Sequence, residues 1–165
     1  MTSEQQPSSR AEQLEVARQI ALKQLESRQR TEEELRRALA RRNTPHDVID
    51  EIITRFTDVG LIDDRAFASA LASTRVEVQR RGAARIRQEL RDKGVAQDVI
   101  EETIQGIDED DQLEAALTFA RKRASTMRRL QAHVARRRLY GALARRGFSA
   151  DVVRKAVEAA LDEEG

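Results

Sequence analysis

One pattern recurs three times along the chain and constrains its fold more than any other feature. Two Leu or Ile positions four residues apart are followed by a basic residue, by Asn or Gly, and then by Asp and two β-branched residues. The copies begin at Leu35, Ile86 and Leu139, which are 51 and 53 residues apart. Three copies of this length indicate an internal repeat.

Each copy predicts the end of one helix and the start of the next. Asn43, Gly94 and Gly147 are residue types that accept the left-handed conformation at which helices commonly end. The basic residue before each of them faces the free carbonyls of the last turn. The Asp of each copy then falls in the first turn of the following helix, where free N–H groups favour a carboxylate. These aspartates are Asp47, Asp98 and Asp151.

Capping signals and apolar stripes complete the repeat. Thr44-Pro45 and Ser149 are the expected caps of the first and third copies, and Thr31 with Glu34 has the spacing of a capping box. An apolar stripe upstream of each copy adds a third helix. We therefore predict an all-α fold of three tandem three-helix repeats that forms an elongated, curved solenoid. The predicted segments are a flexible tail at 1–10 and repeats at 11–60, 61–107 and 108–165.

Composition excludes several classes of site. The chain has no Cys and two His, so thiolate chemistry and a metal site are not expected, and no cofactor is predicted. No Gly-rich phosphate loop or nucleophile motif is present. Asp63-Asp64 could suggest acid and base catalysis, but Gly60 is better explained as a helix end and Asp63 as the next N-cap. We predict a non-enzyme, with no membrane span or signal peptide, in the cytoplasm.

Charge is strongly segregated although the formal net charge is only +1. The stretch 98–114 carries eight acidic residues and no Lys or Arg, whereas 121–146 carries ten basic residues and no acid. Like charges one helical turn apart are destabilising unless a ligand neutralises them, and Arg suits phosphate or carboxylate. The basic residues predicted to bind a filament or DNA are Arg75, Arg80, Arg81, Arg85, Arg87, Arg91, Lys93, Arg121, Lys122, Arg123, Arg128, Arg129, Arg136, Arg137 and Arg138.

The segment around the second repeat resembles the RecX family of regulatory proteins. The resemblance rests on Gly60-Leu-Ile-Asp63-Asp64-Arg-Ala-Phe67-Ala, on Arg81-Gly and Arg85-Ile-Arg-Gln-Glu-Leu, and on Lys93-Gly94-Val. It is strongest over 55–100, and with the repeats it extends from about residue 11 to the end. Within this motif, Gly60, Asp63, Asp64, Phe67 and Gly94 are expected to be structural.

The resemblance implies a function as well as a fold. It implies a protein that binds the groove of the RecA–DNA filament and inhibits ATP hydrolysis, strand exchange and coprotease activity in DNA repair and the SOS response. The expected partners are the RecA filament and single- and double-stranded DNA, the latter bound weakly and without sequence preference. A monomer is expected.

Two other functions are compatible with the sequence. Three-helix units with short turns are also found in sequence-specific, helix-turn-helix DNA-binding regulators. Against that reading, Arg is spread over two repeats and Asn occurs once, at Asn43, whereas base readout needs such residues on one recognition helix. The other alternative is a helical-repeat scaffold that binds an acidic protein.

Overall fold

The described part of the chain is entirely helical. The computed structural model describes residues 9–165, and within that range there are nine α-helices and no strand. This confirms the predicted all-α fold. The helices are α1 (Arg10–Ser27), α2 (Glu32–Arg41), α3 (His46–Asp58), α4 (Asp64–Glu77), α5 (Ala83–Asp92), α6 (Gln97–Gln105), α7 (Glu109–Ala124), α8 (Ala132–Arg145) and α9 (Ala150–Glu164).

The three predicted helix ends share one backbone conformation. Asn43 has φ +57°, Gly94 +77° and Gly147 +93°, so all three residues are left-handed. At the end of α2, the N–H groups of Asn43 and Thr44 donate to carbonyls of the preceding turn at 3.0 and 3.2 Å. The same pair of bonds closes α3 at Gly60, where φ is +78°. This is the Schellman arrangement, which satisfies carbonyls that the helix leaves free.

The predicted helix starts are confirmed, with one exception in their caps. The repeated aspartates lie in the first turns of α3, α6 and α9. Ser149 accepts a hydrogen bond from the Val152 N–H at 3.3 Å, as a capping serine should. Pro45 occupies the N-cap of α3 and makes no side-chain cap, so the cap expected at Thr44-Pro45 is absent.

The capping box expected at α2 forms only in half. Thr31 accepts from the Glu34 N–H at 3.1 Å and so begins the helix. The Glu34 carboxylate does not return a bond to the Thr31 N–H; it lies 2.7 Å from Arg28 and 3.6 Å from Lys93. The opposite charges of these neighbours compensate its burial.

The first helix begins within the range 1–10 that the sequence predicts as a tail. Ser9 and Glu12 form a complete capping box, and α1 begins at Arg10. Arg10 also pairs with Asp47 and with Glu51 on α3. Residues 1–8 lie outside the described part of the chain.

Two compact units divide the helices. The first runs to Phe67 and includes Lys93–Val95, and α1, α2 and α3 pack against one another in it. The second comprises Ala68–Asp92 and Ala96–Gly165; in it α5 packs on α6, and α7, α8 and α9 form a mutually packed set. The boundaries of the three predicted repeats stay a prediction. Fully buried aliphatic residues form the cores, including Leu35, Leu39 and Ile52 in the first unit and Ile86, Leu139 and Leu143 in the second.

Helix ends contact the start of an earlier helix within each unit. In the first unit, a Cβ placed on Gly94 would lie 2.3 Å from the Cβ of Glu33 on α2. In the second unit, a Cβ on Gly147 would lie 2.5 Å from the backbone nitrogen of Arg85 on α5. The Gly82 N–H also donates to the Arg146 carbonyl at 2.8 Å. Backbones approach this closely only where glycine is present.

None of the described helices is both long and apolar enough to span a bilayer.

Candidate functional site

Five arginine side chains converge on one cavity of the second unit, which we call the arginine pocket. Its volume is about 450 Å³. No acidic residue lines it, so the positive charge inside is not compensated by its own walls. The lining residues are Arg81, Arg85, Phe119, Arg123, Ala142, Arg145 and Arg146.

A second cavity adjoins the first and shares Arg123, Ala142 and Arg145 with it. We call it the mixed pocket, because apolar as well as basic side chains line its volume of about 790 Å³. Its other lining residues are Ser125, Thr126, Met127, Arg128, Arg129, Leu130, Arg137 and Arg138. Together the two pockets collect arginines from the start of α5, the end of α7, the following loop and α8.

Arg146 holds the α4–α5 loop at the edge of the arginine pocket. Its Nε donates to the Arg80 carbonyl at 2.9 Å, a second guanidinium nitrogen donates to the Gln79 carbonyl, and the group stacks 4.5 Å from the centre of the Phe119 ring. Burial lowers the pKa of Arg146, and the charges of Arg81, Arg123 and Arg85 lower it further. An arginine remains protonated under such shifts, so the pocket keeps its positive charge.

Gln112 holds the same loop through another helix. This buried residue of α7 accepts from the Ala83 N–H at 2.9 Å, and its amide nitrogen lies 3.5 Å from the Arg81 carbonyl. Arg80, whose carbonyl accepts from Arg146, has φ +51°, which is unusual for a residue other than glycine. The loop that carries Arg81 into the pocket is therefore fixed in position by α7 and by the end of α8.

The adjacent carboxylates Asp63 and Asp64 cap two different helices. Asp63 accepts from the Ala66 N–H at 3.0 Å and begins α4, as predicted. Asp64 accepts from the Glu32 N–H at 3.0 Å and so caps α2. Burial raises the pKa of Asp64. Each carboxylate therefore accepts a backbone N–H at the start of a helix.

Three family models match consecutive parts of this chain. The first, second and third three-helix domains of RecX match residues 17–56, 63–104 and 109–157. The chain belongs to the RecX family. Members of this family are regulatory proteins, which places the chain among regulators and not among enzymes.

Individual RecX relatives agree over most of the chain. The regulatory protein RecX of Streptomyces coelicolor is 37% identical over 167 residues, which cover 96% of this chain and 88% of the relative. That of Mycobacterium avium is 38% identical over 152 residues, covering 91% and 87%. The crystal structure of RecX from Lactobacillus salivarius has the same fold, with a TM-score of 0.85 at 24% identity over 91% of this chain and 97% of that one.

The structure gathers seven of the fifteen predicted basic site residues of this RecX-family chain around the two pockets. These are Arg81, Arg85, Arg123, Arg128, Arg129, Arg137 and Arg138. Of these seven, Arg81 also lies 3.4 Å from Glu89, and Arg128 lies 2.6 Å from Glu164. Eight others line neither pocket, namely Arg75, Arg80, Arg87, Arg91, Lys93, Arg121, Lys122 and Arg136.

Several of those eight already pair with an acid. Arg75 on α4 donates to Glu89 on α5 at 2.8 Å, and Arg121 on α7 lies 2.8 Å from Glu163 on α9. Arg87 on α5 donates to Glu101 on α6 at 2.9 Å. These ion pairs join neighbouring helices, so each of the three arginines has a local role without a ligand.

Two residues at the pockets were assigned no binding role from sequence. Arg145 and Arg146 lie at the end of α8; both belong to the basic stretch 121–146, but neither was among the predicted binding residues, and Arg146 was assigned to the helix end. Gln112 carried no signal, because a glutamine in a helix is usually a solvated residue. Within residues 9–165, no group of His, Asp and Glu is arranged to hold a metal ion.

Proposed function

We propose that this RecX-family chain inhibits the RecA recombinase by binding its DNA filament, and that the arginine pocket holds DNA phosphates. The observation that supports this proposal most directly is the convergence of five guanidinium groups on one cavity without an acidic residue in its lining. A phosphate placed there supplies the missing negative charge, and guanidinium groups bind its oxygens in pairs.

The chemistry of the pocket favours backbone contacts over base readout. Arginine and phosphate interact without regard to sequence, whereas base recognition needs an ordered set of donors and acceptors in a groove. The one aromatic side chain in the lining, Phe119, already has Arg123 and Arg146 against its ring, at 5.6 and 4.5 Å from its centre. We therefore expect weak binding to DNA alone that is independent of sequence.

Inhibition needs no chemical step in this proposal. A protein that binds one state of the filament more tightly than another shifts the filament toward that state, by no more than the difference in affinity. Contacts with both RecA and DNA would resist the changes that accompany ATP turnover and would obstruct incoming DNA.

A RecA ATPase titration on single-stranded DNA tests the proposal. The wild-type chain should suppress hydrolysis, and a double variant with Arg85→Gln and Arg123→Gln should need at least about tenfold more protein, since each hydrogen bond to a charged group contributes on the order of 1.5 kcal/mol. The matched control is Arg18→Gln with Arg55→Gln, two exposed arginines that pair with Glu15 and Glu51.

The control should inhibit like the wild type. Wild-type protein without effect on the ATPase would contradict the inhibitory function itself. If both double variants inhibit equally well, the chain inhibits RecA but the arginine pocket takes no part in it.

A further inference from the structure

The mixed pocket differs chemically from the arginine pocket beside it. Met127 and Leu130 project into its lining from the loop after α7, and Ala142 adds a methyl group from α8. Six arginines complete the lining. Met127 and Leu130 are half-buried, so each keeps apolar surface that no part of the described chain covers. A phosphodiester backbone carries no apolar side chain that could pack against Met127 and Leu130.

The loop that carries the apolar residues is already ordered by its own backbone. The Met127 N–H donates to the Ala124 carbonyl at 2.9 Å, and the Leu130 N–H donates to the Met127 carbonyl at 3.0 Å. The hydroxyls of Ser125 and Thr126 donate to carbonyls at the end of α7, both at 2.7 Å. Because these groups are satisfied internally, an occupant finds two kinds of contact, guanidinium groups and apolar surface. A preformed site also loses little entropy on binding.

The chain itself shows that a glutamate suits the rim of this pocket. Glu164, at the end of α9, accepts from the Nε of Arg128 at 2.6 Å. Arg129, Arg137 and Arg138 are exposed lining residues on the same cavity. Guanidinium groups bind carboxylates through paired hydrogen bonds. The rim therefore matches a ligand that carries several carboxylates, and the apolar patch matches one bulky apolar side chain among them.

We propose that the mixed pocket binds an acidic segment of a partner protein, with a Leu, Ile, Met or Phe side chain seated against Met127 and Leu130. Flanking Asp and Glu residues of that segment pair with Arg129, Arg137 and Arg138. This site lies beside the proposed phosphate site and goes beyond the proposed function, because it recognises protein. Charge complementarity identifies an acidic occupant, and the apolar patch distinguishes a peptide from a nucleic acid.

Fluorescence anisotropy with two labelled peptides tests this proposal on the full chain. One is a short peptide of Glu and Asp with a central leucine, and the other has serine in place of that leucine. The wild-type chain should bind the leucine peptide at least about fivefold more tightly, because partial burial of one leucine side chain is worth that ratio. Equal affinity for the two peptides would overturn the proposal.

Paired variants separate this site from the DNA surface. Met127→Gln with Leu130→Gln keeps the charge and should bring the ratio between the two peptides close to one, while affinity for single-stranded DNA stays within about twofold. The matched control is Val16→Gln with Val59→Gln, which changes two exposed valines of the first unit and should keep the ratio. Circular dichroism establishes that both variants retain their helices.

The DNA measurement also has a contradicting outcome. If the Met127 and Leu130 variant loses DNA affinity as well, the mixed pocket belongs to the nucleic-acid surface and the peptide proposal fails. Loss of DNA binding in the Arg85 and Arg123 variant, with the peptide ratio retained, supports two separate sites. Failure of the proposed RecA inhibition would leave the peptide ratio unaffected, so the two proposals fail independently.

Discussion

Gly60 and Gly147 both end helices in the left-handed conformation, but their surroundings differ. A Cβ on Gly60 meets nothing within 4 Å, whereas one on Gly147 meets the backbone of Arg85 at 2.5 Å. Gly60→Ala should therefore lose about 1 kcal/mol from left-handed strain alone. Gly147→Ala should lose more than about 3 kcal/mol, because α5 must also shift. Urea unfolding of both variants checks this difference, and equal losses would show that the close contact is not maintained.

The contribution of Asp64 to the free energy of unfolding depends on pH in an unusual way. Its pKa is raised above the ordinary 3.8, mainly by burial. The native state therefore holds this proton more tightly than the unfolded state, and the contribution of Asp64 to stability falls as pH rises through the raised pKa. Asp64→Asn keeps an acceptor for the Glu32 N–H without the buried charge.

Urea unfolding of the wild type and of Asp64→Asn between about pH 3 and 7 measures this effect. The variant should gain stability relative to the wild type as pH increases, since other carboxylates titrate alike in both proteins. If the variant instead loses stability relative to the wild type as pH rises, the hydrogen bond from the Glu32 N–H favours the charged carboxylate by more than burial disfavours it.

At the scale of elements, the α4–α5 loop depends on two attachments from distant helices. Gln112→Ala removes the acceptor of the Ala83 N–H, and leaving a buried donor unpaired costs about 1–3 kcal/mol. We expect faster hydrogen exchange at Ala83 and weaker DNA binding, because Arg81 is no longer held at the pocket. Gln19→Ala is a suitable control, since Gln19 is exposed on α1 and donates to Glu15 of the same helix at 3.0 Å. Unchanged exchange at Ala83 would contradict the role of Gln112.

Helix ends could be predicted from the sequence, because their signals lie in adjacent residues. Contacts between helices could not be predicted in this way. The helix ends at Asn43, Gly94 and Gly147 follow from residue type and the adjacent turn. The partner of Arg87 is Glu101, 14 residues away on another helix, and no helical spacing indicates it. The sequence held one clue: Arg36 and Asp50 occupy the equivalent positions of the first repeat, and the structure pairs them as well. The reach of Arg146 to the Arg80 carbonyl spans 66 residues and needs the tertiary structure.

At the scale of the whole molecule, charge segregation predicts a steep salt dependence of DNA binding. Each arginine that neutralises a phosphate releases counterions, so losing a contact should flatten the slope of log affinity against log salt by roughly one unit or less. The sequence predicts this for Arg136, Arg137 and Arg138 together. The structure redirects the expectation to the arginine pocket, because Arg137 and Arg138 line the mixed pocket, which we propose to bind protein.

Fluorescence anisotropy at a series of salt concentrations measures these slopes, with single and double strands of unrelated sequence. Arg85→Gln with Arg123→Gln should flatten the slope, whereas Arg137→Ala with Arg138→Ala should leave it near the wild-type value. An unchanged slope in the Arg85 and Arg123 variant would show that these two arginines do not meet phosphate. Tight, salt-resistant binding to one sequence would favour a sequence-specific regulator instead.

The glycines at 94 and 147 also bear on how a chain of this kind could be lengthened by design. An earlier helix leaves no room for a Cβ at either glycine, because the Glu33 side chain lies against Gly94 and the Arg85 backbone against Gly147. Asn43, at the corresponding place in the first repeat, is exposed and carries a side chain. Grafting a fourth repeat ahead of the first would bring another helix start against residue 43. Asparagine there would obstruct the graft, and Asn43→Gly would be the substitution that admits it.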